Sequence, residues 1–500
     1  MRFNVLFGGK AGQGANILTH TLGRALVRLG FYVFYSRDYQ SLIRGGHNFN
    51  VLTFSNERVN SNDFKIDFLI ALDENTLEIH QNRITKDTVI LKGKESNMFF
   101  AGKLFKMLGL DFELLNDELK ILKRYEENLK QAKKGYESGK QEFEINNIEG
   151  VLKNDLKLFR NGSIGIAQGA INSGLDVYYA YPMTPATPIL GELAKEQIKN
   201  NFLVLELENE IAVANAGVGS AITGAKTMVG TSGGGFDLMS ETLSLTGIAG
   251  VPLVFYLAQR QGPGTGVATY NAQGDLDMAR HAGHGDFPRI LLAPGDAKEC
   301  EELITEAFYF SQKYKIPAIV LGDKHLAESY YTLDGNPNLT ISKKSTNFAR
   351  YNSYEKNSKG SATENSEIII KNVNERKRKK ALIEKESKSF DTYKVFGKSD
   401  SENVIVSWGS PKGAILDVLN SGIDAKFVQI LYLEPFPKEV WSELIGKNII
   451  IVENNSSSQL NSLLKEKLGF NCYSKNLILR YDGRPFTKTY LEKEIRRRLK

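Results

Sequence analysis

Residues 2–29, RFNVLFGGKAGQGANILTHTLGRALVRL, decide the fold class. RFNVLF (2–7) reads as a short buried strand, 8–14 as a glycine turn, and from Ala15 to Leu29 apolar residues recur near helical spacing. Strand, glycine turn and helix in that order open a doubly wound α/β unit. Further strands are expected at 31–36 (FYVFYS), 50–55 (NVLTFS), 67–72 (DFLIAL) and 87–92 (DTVILK), which gives a first α/β domain over 1–150. The polar, Lys- and Glu-rich stretch 117–144 reads as a solvated helix tied to a connector at its end.

The same alternation returns downstream. After the small-residue helix in NGSIGIAQGAINSG (161–174), strands and helices alternate to about 325, predicting a second α/β domain with a mainly parallel sheet over 151–333. Asn, Ser, Lys and Glu then dominate 334–400, a linker whose five consecutive bases, 376–380, read as a solvated helix rather than a nucleic-acid patch. NVIVSWGS (403–410) opens a third α/β layer over 401–500. The fold class is therefore α/β with three α/β domains. A chain of 500 residues has room for them at about 100–200 residues each.

Composition narrows the function. The 64 Lys and Arg against 58 Asp and Glu leave +6 over a large surface, which argues against nucleic-acid or membrane partners. Only Cys300 and Cys472 exist, too few for a cysteine-ligated iron–sulfur cluster, a four-cysteine zinc site or a disulfide framework, and no metal ligands are expected on this chain. Neither a signal peptide nor an apolar stretch of membrane-spanning length is legible, so the expected location is the cytoplasm.

Several motifs could carry chemistry. The turn Gly8-Gly9-Lys10-Ala11-Gly12-Gln13-Gly14 presents amide groups at a helix N-terminus, which suits a phosphate, although it departs from G-x-G-x-x-G because Ile17 stands at the last glycine position. A tight turn without a ligand is the alternative. Arg44-Gly45-Gly46-His47 offers a cationic loop that could meet the first across the sheet edge. Tyr181-Pro182-Met183-Thr184-Pro185-Ala186-Thr187-Pro188 is a proline-stiffened loop at a strand's carboxyl end, where open α/β sheets bind ligands. Glu210 opens a helix of small residues, where the dipole favours a carboxylate, and simple helix capping is its alternative. Thr231-Ser232-Gly233-Gly234-Gly235 and Arg260-Gln261-Gly262-Pro263 follow the next two strands. Consecutive strand ends thus carry hydroxyls, glycines, an acid and an arginine, a site assembled from one sheet edge.

In order, NGSIGIAQGA, YPMTPATP, ELENEIAVANAGVGSA, TSGGGFDLMSE, QRQGPGTG and HGDFPRILLAPG resemble the alpha subunit of 2-oxoacid:ferredoxin oxidoreductases of the 2-oxoglutarate or general 2-oxoacid branch. GGKAGQG with RGGHNFNV resembles the gamma domain fused ahead of alpha in some members, and SWGSPKGA, VENNSSSQL and YDGRPFT resemble the family's transketolase C-terminal-like domain. The resemblance spans nearly the whole chain outside the linker. It implies a gamma-type domain at 1–150, a thiamine pyrimidine-binding alpha domain at 151–333 and the transketolase-like domain at 401–500. It also implies oxidative decarboxylation of a 2-oxoacid to acyl-CoA with thiamine diphosphate, coenzyme A and ferredoxin. Glu210 matches the glutamate on the aminopyrimidine N1′ and favours its imino tautomer, Thr184 matches the substrate-binding threonine, and Arg260 the arginine that pairs with the substrate carboxylate. Tyr181, Pro182, Ser232 and Gly233 fall in the matched cofactor loops. Gly9, Gly12 and Gly14, with Arg37 or Arg44, would serve coenzyme A. His281 and His284 fall in a matched segment where a structural role competes with proton transfer. Met183 and Ala186-Thr187 replace the family's commoner isoleucine and Ser-Ser pair, which bears on substrate choice.

No Gly-Asp-Gly occurs in the chain. By the resemblance, the diphosphate half of the site, Mg²⁺ and at least one [4Fe–4S] cluster then belong to a separate beta subunit, in an (alpha-beta)₂ assembly. Two other readings compete: an NAD- or FAD-binding Rossmann dehydrogenase built on 8–14, which leaves the proline loop, Glu210 and Arg260 unexplained, and a non-catalytic scaffold that keeps the fold, which leaves the joint presence of Thr184, Glu210 and Arg260 unexplained.

Overall fold

In the computed structural model, which describes residues 1–41, 45–145, 158–345 and 352–499, the chain folds into strands β1 (Arg2–Lys10), β2 (Tyr32–Ser41), β3 (Gly45–Ser55), β4 (Phe68–Ala71), β5 (Val89–Lys92), β6 (Leu158–Asn161), β7 (Val177–Ala180), β8 (Leu203–Glu206), β9 (Thr227–Thr231) and β10 (Leu253–Gln259). They are followed by β11 (Ile290–Leu292), β12 (Pro317–Asp323), β13 (Tyr330–Leu333), β14 (Tyr393–Gly397), β15 (Asn403–Ser407), β16 (Lys426–Ile430), β17 (Tyr432–Glu434), β18 (Asn448–Glu453) and β19 (Leu477–Leu479). Helices connect most of them, and the class is α/β, as the alternating pattern predicts. Two units are resolved by their internal contacts: 1–160 with 329–335 and 486–493, and 161–328 with 336–485 and 494–500.

The first unit holds a seven-stranded sheet in the order β5-β4-β1-β3-β2-β13-β6. β1 pairs parallel with β4 but antiparallel with β3, and β3 pairs antiparallel with β2, so the sheet is mixed where the opening motif alone suggests a parallel one. The interior of β1 is buried along its length, as befits a strand covered on both faces. After the turn, Gly14 caps the helix Ala15–Arg28 at φ 84°, a left-handed conformation open to glycine at little cost. The stretch read as a solvated helix does form one, Tyr125–Ser138, with an exposed charged face. Its Ala132 and Gly135 are nevertheless buried, and it packs on the helix Asn97–Met107, so it is a layer of the unit as well as a surface helix. The expected domain end near 150 lies outside the described residues.

The second unit holds two sheets. One has the order β17-β11-β12-β10-β9-β7-β8 and is parallel except for β17; the other has the order β14-β16-β15-β18-β19 and is parallel except for β14. A single apolar cluster runs through both, joining Phe236, Leu257, Leu276 and Leu321 to Val406, Trp408, Val428 and Ile451. The basic run lies in the helix Ser366–Ser387, largely exposed as read from its composition, with Arg376 paired to Glu355 at 2.6 Å. Between β7 and β9 the outgoing connections diverge, β7 leading to β8 on one side and β9 to β10 on the other. Such a switch point is where open parallel sheets form ligand crevices. Among the described residues no helix is long and apolar enough to cross a membrane.

Candidate functional site

Four neighbouring strands, β10-β9-β7-β8, deliver the expected residues to one sheet edge. After β7, Tyr181 and Pro182 are exposed, and Thr184 is half-buried where the loop turns into the helix Thr187–Asn200 through hydrogen bonds from Ala186 N and Thr187 N to Met183 O. After β8, Glu206 and Glu208 face solvent while Glu210 is only 4% exposed. The capping alternative for Glu210 falls away, because Asn209 caps the helix Glu210–Ile222, its Oδ1 accepting from Ala212 N at 2.9 Å.

Glu210 Oε1 is buried with no hydrogen-bond partner among the described residues, and so is Ser232 Oγ at the start of the next helix. Leaving such atoms unmet costs about 1–3 kcal/mol each, which fits a site that a ligand completes. The glycines 233–235 form the first turn of the helix Gly233–Ala249 instead of a free loop. Packing explains two of the three: a Cβ on Gly235 would stand 2.7 Å from Glu210 Oε1, and one on Gly233 would stand 2.7 Å from Asp275 Oδ2. Gly234 between them faces open space.

Arg260 begins where β10 ends. Its Nη1 donates to Thr184 O at 2.8 Å, so the structure brings two of the expected site residues into direct contact. Burial lowers the Arg260 pKa, opposed by the charges of Asp275 and Glu210, which places both carboxyls within electrostatic reach of the guanidinium. Asp275 is the residue that sequence reasoning missed. Burial and the charge of Asp237 push its carboxyl up to about 6, against the pull of Arg260. In AQGDLD, with Asp277 two residues on, it carries no pattern by which the sequence could have singled it out.

Arg260, Gln261, Gly274 and Asp275 line a cavity of about 280 Å³ whose far wall is Asn454, Asn455, Ser456, Ser457, Gln459 and Tyr481, from the VENNSSSQL and YDGRPFT segments. His284 is not among the residues that line this cavity; its Nδ1 is 2.8 Å from Ser244 Oγ, which also donates to His284 O. His281 is exposed and lines a separate cavity with Arg280 and Arg289.

In the first unit, the turn 8–14 is occupied by the chain's own side chains. Gln13 Oε1 accepts from Lys10 N at 2.6 Å and its Nε2 donates to Leu72 O at 3.0 Å, filling the space beside Gly9. Asn97 crowds Gly14, while Gly12 faces open space. The second loop does meet the first: Ala11 N donates to Gly46 O at 3.3 Å, and His47, in register with Lys10, sits 2.8 Å from His80 through their Nε2 atoms. Arg44 lies outside the described residues. Arg37 lines a cavity with Asn16, His20, Arg24 and Tyr330, which includes none of 8–14.

Family models for the thiamine diphosphate-binding domain of pyruvate flavodoxin/ferredoxin oxidoreductases match residues 168–397, and for pyruvate ferredoxin/flavodoxin oxidoreductase match 4–96. The chain is 28% identical to the alpha subunit of a 2-oxoacid:ferredoxin oxidoreductase from Sulfolobus sp, over 99% of this chain and 96% of that one. It is 29% identical to the 2-oxoglutarate synthase subunit KorA of Methanocaldococcus jannaschii, over 59% of this chain and 88% of the relative. Its fold matches that of a 2-oxoglutarate:ferredoxin oxidoreductase from Magnetococcus marinus over the full length of both chains, with a TM-score of 0.87 at 22% identity.

Proposed function

The chain belongs to the 2-oxoacid:ferredoxin oxidoreductase family, and from that premise we propose that it is the alpha subunit, with its own gamma-type domain, of an enzyme converting a 2-oxoacid, coenzyme A and oxidised ferredoxin into acyl-CoA, CO₂ and reduced ferredoxin. The reading is carried by two buried polar atoms without partners among the described residues, Glu210 Oε1 after β8 and Ser232 Oγ after β9, on the strand ends next to the switch point of the parallel sheet. An aminopyrimidine ring carries donors and acceptors of the kind that these two atoms lack. Thiamine diphosphate, when bound, supplies the electron sink that decarboxylation of a 2-oxoacid requires.

The chain's own residues then divide the work. Glu210 holds a proton at Oε1 for exchange with the ring nitrogen, in a setting where burial excludes water. Ser232 and Gly233 border the ring, and Tyr181 and Pro182 form the exposed rim. Arg260, already anchored on Thr184 O, presents its remaining donors to the substrate carboxylate, and the Thr184 hydroxyl orients the substrate. In the gamma-type domain Gly9, Gly12 and Gly14, with Arg44, serve coenzyme A. The domain limits that accompany this reading are 1–150, 151–333 and 401–500, with 334–400 as linker.

A beta subunit completes the enzyme with the diphosphate site, Mg²⁺ and [4Fe–4S], and the assembly is (alpha-beta)₂ in the cytoplasm. The chain's two cysteines, both buried, support that division of labour. So do Leu203, Leu205 and Ile211, apolar and exposed at the sheet edge that carries Glu210. Anaerobic co-purification of the native complex, with acyl-CoA formation assayed across pyruvate, 2-oxoglutarate and branched 2-oxoacids, tests the proposal. Coenzyme A- and 2-oxoacid-dependent reduction of ferredoxin is expected from the complex and not from this chain alone; a complex inert toward every 2-oxoacid would overturn it.

A further inference from the structure

Asp275 is held with more apparatus than a surface turn requires. Its own N–H donates to Gln259 Oε1 at 2.9 Å. The peptide on either side is bracketed by one amide: Gln459 Nε2 donates to Gly274 O at 2.8 Å, and Leu276 N donates to Gln459 Oε1 at 3.0 Å. Two residues before Asp275, Gln273 exchanges hydrogen bonds with Asn454, giving N–H to its carbonyl at 2.7 Å and accepting on Oε1 from its N–H at 2.9 Å. Asn455 Nδ2 donates both to Gln273 O and to the fully buried Glu453 at the end of β18. Three amide side chains, Gln259, Asn455 and Gln459, thus fix the main chain so that the Asp275 carboxyl fills the space a Cβ on Gly233 would take and lines the same cavity as Arg260.

We propose, resting on the assignment of Arg260 to the substrate carboxylate, that Asp275 is a positioning residue acting through Arg260: ionised, it balances the guanidinium in the empty site, and it takes up a proton from solvent when a substrate carboxylate docks there. Two carboxylates cannot share one partly buried guanidinium without repulsion, so the incoming one raises the proton affinity of the resident one. Asp275 suits this exchange because its carboxyl titrates at about 6. The charged groups acting on it are Asp237 on the helix after β9 and Arg260 at the end of β10, which itself feels Glu210; Asp277, two residues on, bears on the buried Glu453. Glu453 is pushed up to about 7 by burial, so it titrates in the same window and must be separated from Asp275.

The test uses the native complex and two readouts: KM for its preferred 2-oxoacid, and the inhibition constant of the keto-free carboxylic acid of the same chain length, each between pH 5.5 and 8. Protonated Asp275 does not compete for Arg260, so both constants are expected to be low at acid pH and to rise through pH 6–7. A coupling of one pKa unit corresponds to roughly tenfold in the constants between the two limits. Asp275→Asn is expected to flatten both profiles at the acid-limit value, Asp275→Glu to restore the slope, and Glu453→Gln to leave it in place. Calorimetry of the keto-free acid in two buffers of different ionisation heat is expected to show proton uptake by the wild type at pH 6.5, a measurement that needs no variant. A slope that survives Asp275→Asn, a slope that disappears with Glu453→Gln, or no proton uptake would overturn the proposal. If Arg260→Ala leaves KM unchanged, the assignment of Arg260 itself fails instead.

Discussion

Two turns in this molecule follow one plan, strand then glycines then helix, and differ in what occupies them. At 8–14 the space beside Gly9 and Gly14 is taken by neutral amides, Gln13 and Asn97, and the donors of Gln13 are spent on the chain's own backbone. At 231–235 the space beside Gly235 and Gly233 is taken by carboxyl groups, Glu210 and Asp275, and Glu210 Oε1 meets no partner. An amide satisfied by backbone lowers the energy of the resting protein. A buried carboxyl without a partner costs stability and is retained where chemistry needs it. Glycine content alone does not separate these cases; the identity of the occupant does.

The largest expected effect sharpens the second turn. Glu210→Gln keeps size and hydrogen-bonding capacity but cannot exchange a proton at Oε1, and kcat is expected to fall by about 10²–10⁴-fold with the cofactor still bound. Hydrogen–deuterium exchange at thiamine C2 in the reconstituted complex checks it. Because Asn209 holds the cap, a variant that lost melting temperature but kept the exchange rate would remove Glu210 from the chemistry.

Arg260→Ala comes next. It removes a charge-assisted contact made in ground and transition states alike, worth about 1.5–3 kcal/mol, so KM for every accepted 2-oxoacid is expected to rise by roughly 10–100-fold with kcat much less affected. The bond to Thr184 O adds a second consequence, since the proline loop loses an anchor. An unchanged KM would show that the guanidinium serves only that loop.

How far these residues were legible follows from their kind of pattern. The strand-end loops, Glu210 and Arg260 stand out because each follows directly on an apolar strand, and a parallel sheet gathers such ends on one edge. The mixed pairing of β1, β2 and β3 was not legible, since a strand's apolar run is the same whichever way its neighbour points. Asp275 was hidden for a different reason: its neighbours Gln459 and Asn455 are some 180 residues away in sequence, and the cavity exists only once the two sheets of the second unit pack. The helical state of 233–235 was masked by the glycines themselves, which weaken a helix locally and are tolerated there because a Cβ would displace a carboxyl.

A smaller effect contrasts neighbouring glycines. Gly235→Ala drives a methyl into Thr231 and Glu210 and is expected to destabilise by about 1–3 kcal/mol with a loss of kcat, whereas Gly234→Ala meets nothing within 4 Å and is expected to stabilise slightly through helix propensity. Thermal melts of the two variants, with kcat, test whether the carboxyl is what the glycine makes room for. Equal effects would mean that 233–235 respond to backbone flexibility alone.

The smallest expected effects concern the first turn, where the comparison can also be broken. Gly12 and Gly14 both lie in left-handed conformations, at φ 90° and φ 84°, but Gly12 has open space around it and Gly14 is crowded by the Asn97 side chain. Gly12→Ala therefore measures the backbone cost by itself, about 1–2 kcal/mol. Gly14→Ala adds the collision with Asn97, and Asn97→Ala in the same chain should relieve that part and leave the backbone part, bringing the double variant back to the cost of Gly12→Ala. A double-mutant cycle on melting temperature isolates the contact, because the two residues touch and their effects are not additive. Neither variant should change C2 exchange at thiamine, since the occupants of this turn are neutral and already satisfied. If Gly14→Ala slowed that exchange as much as Glu210→Gln does, the difference between the two turns would not be one of chemistry, and the buried carboxyl would lose its special standing.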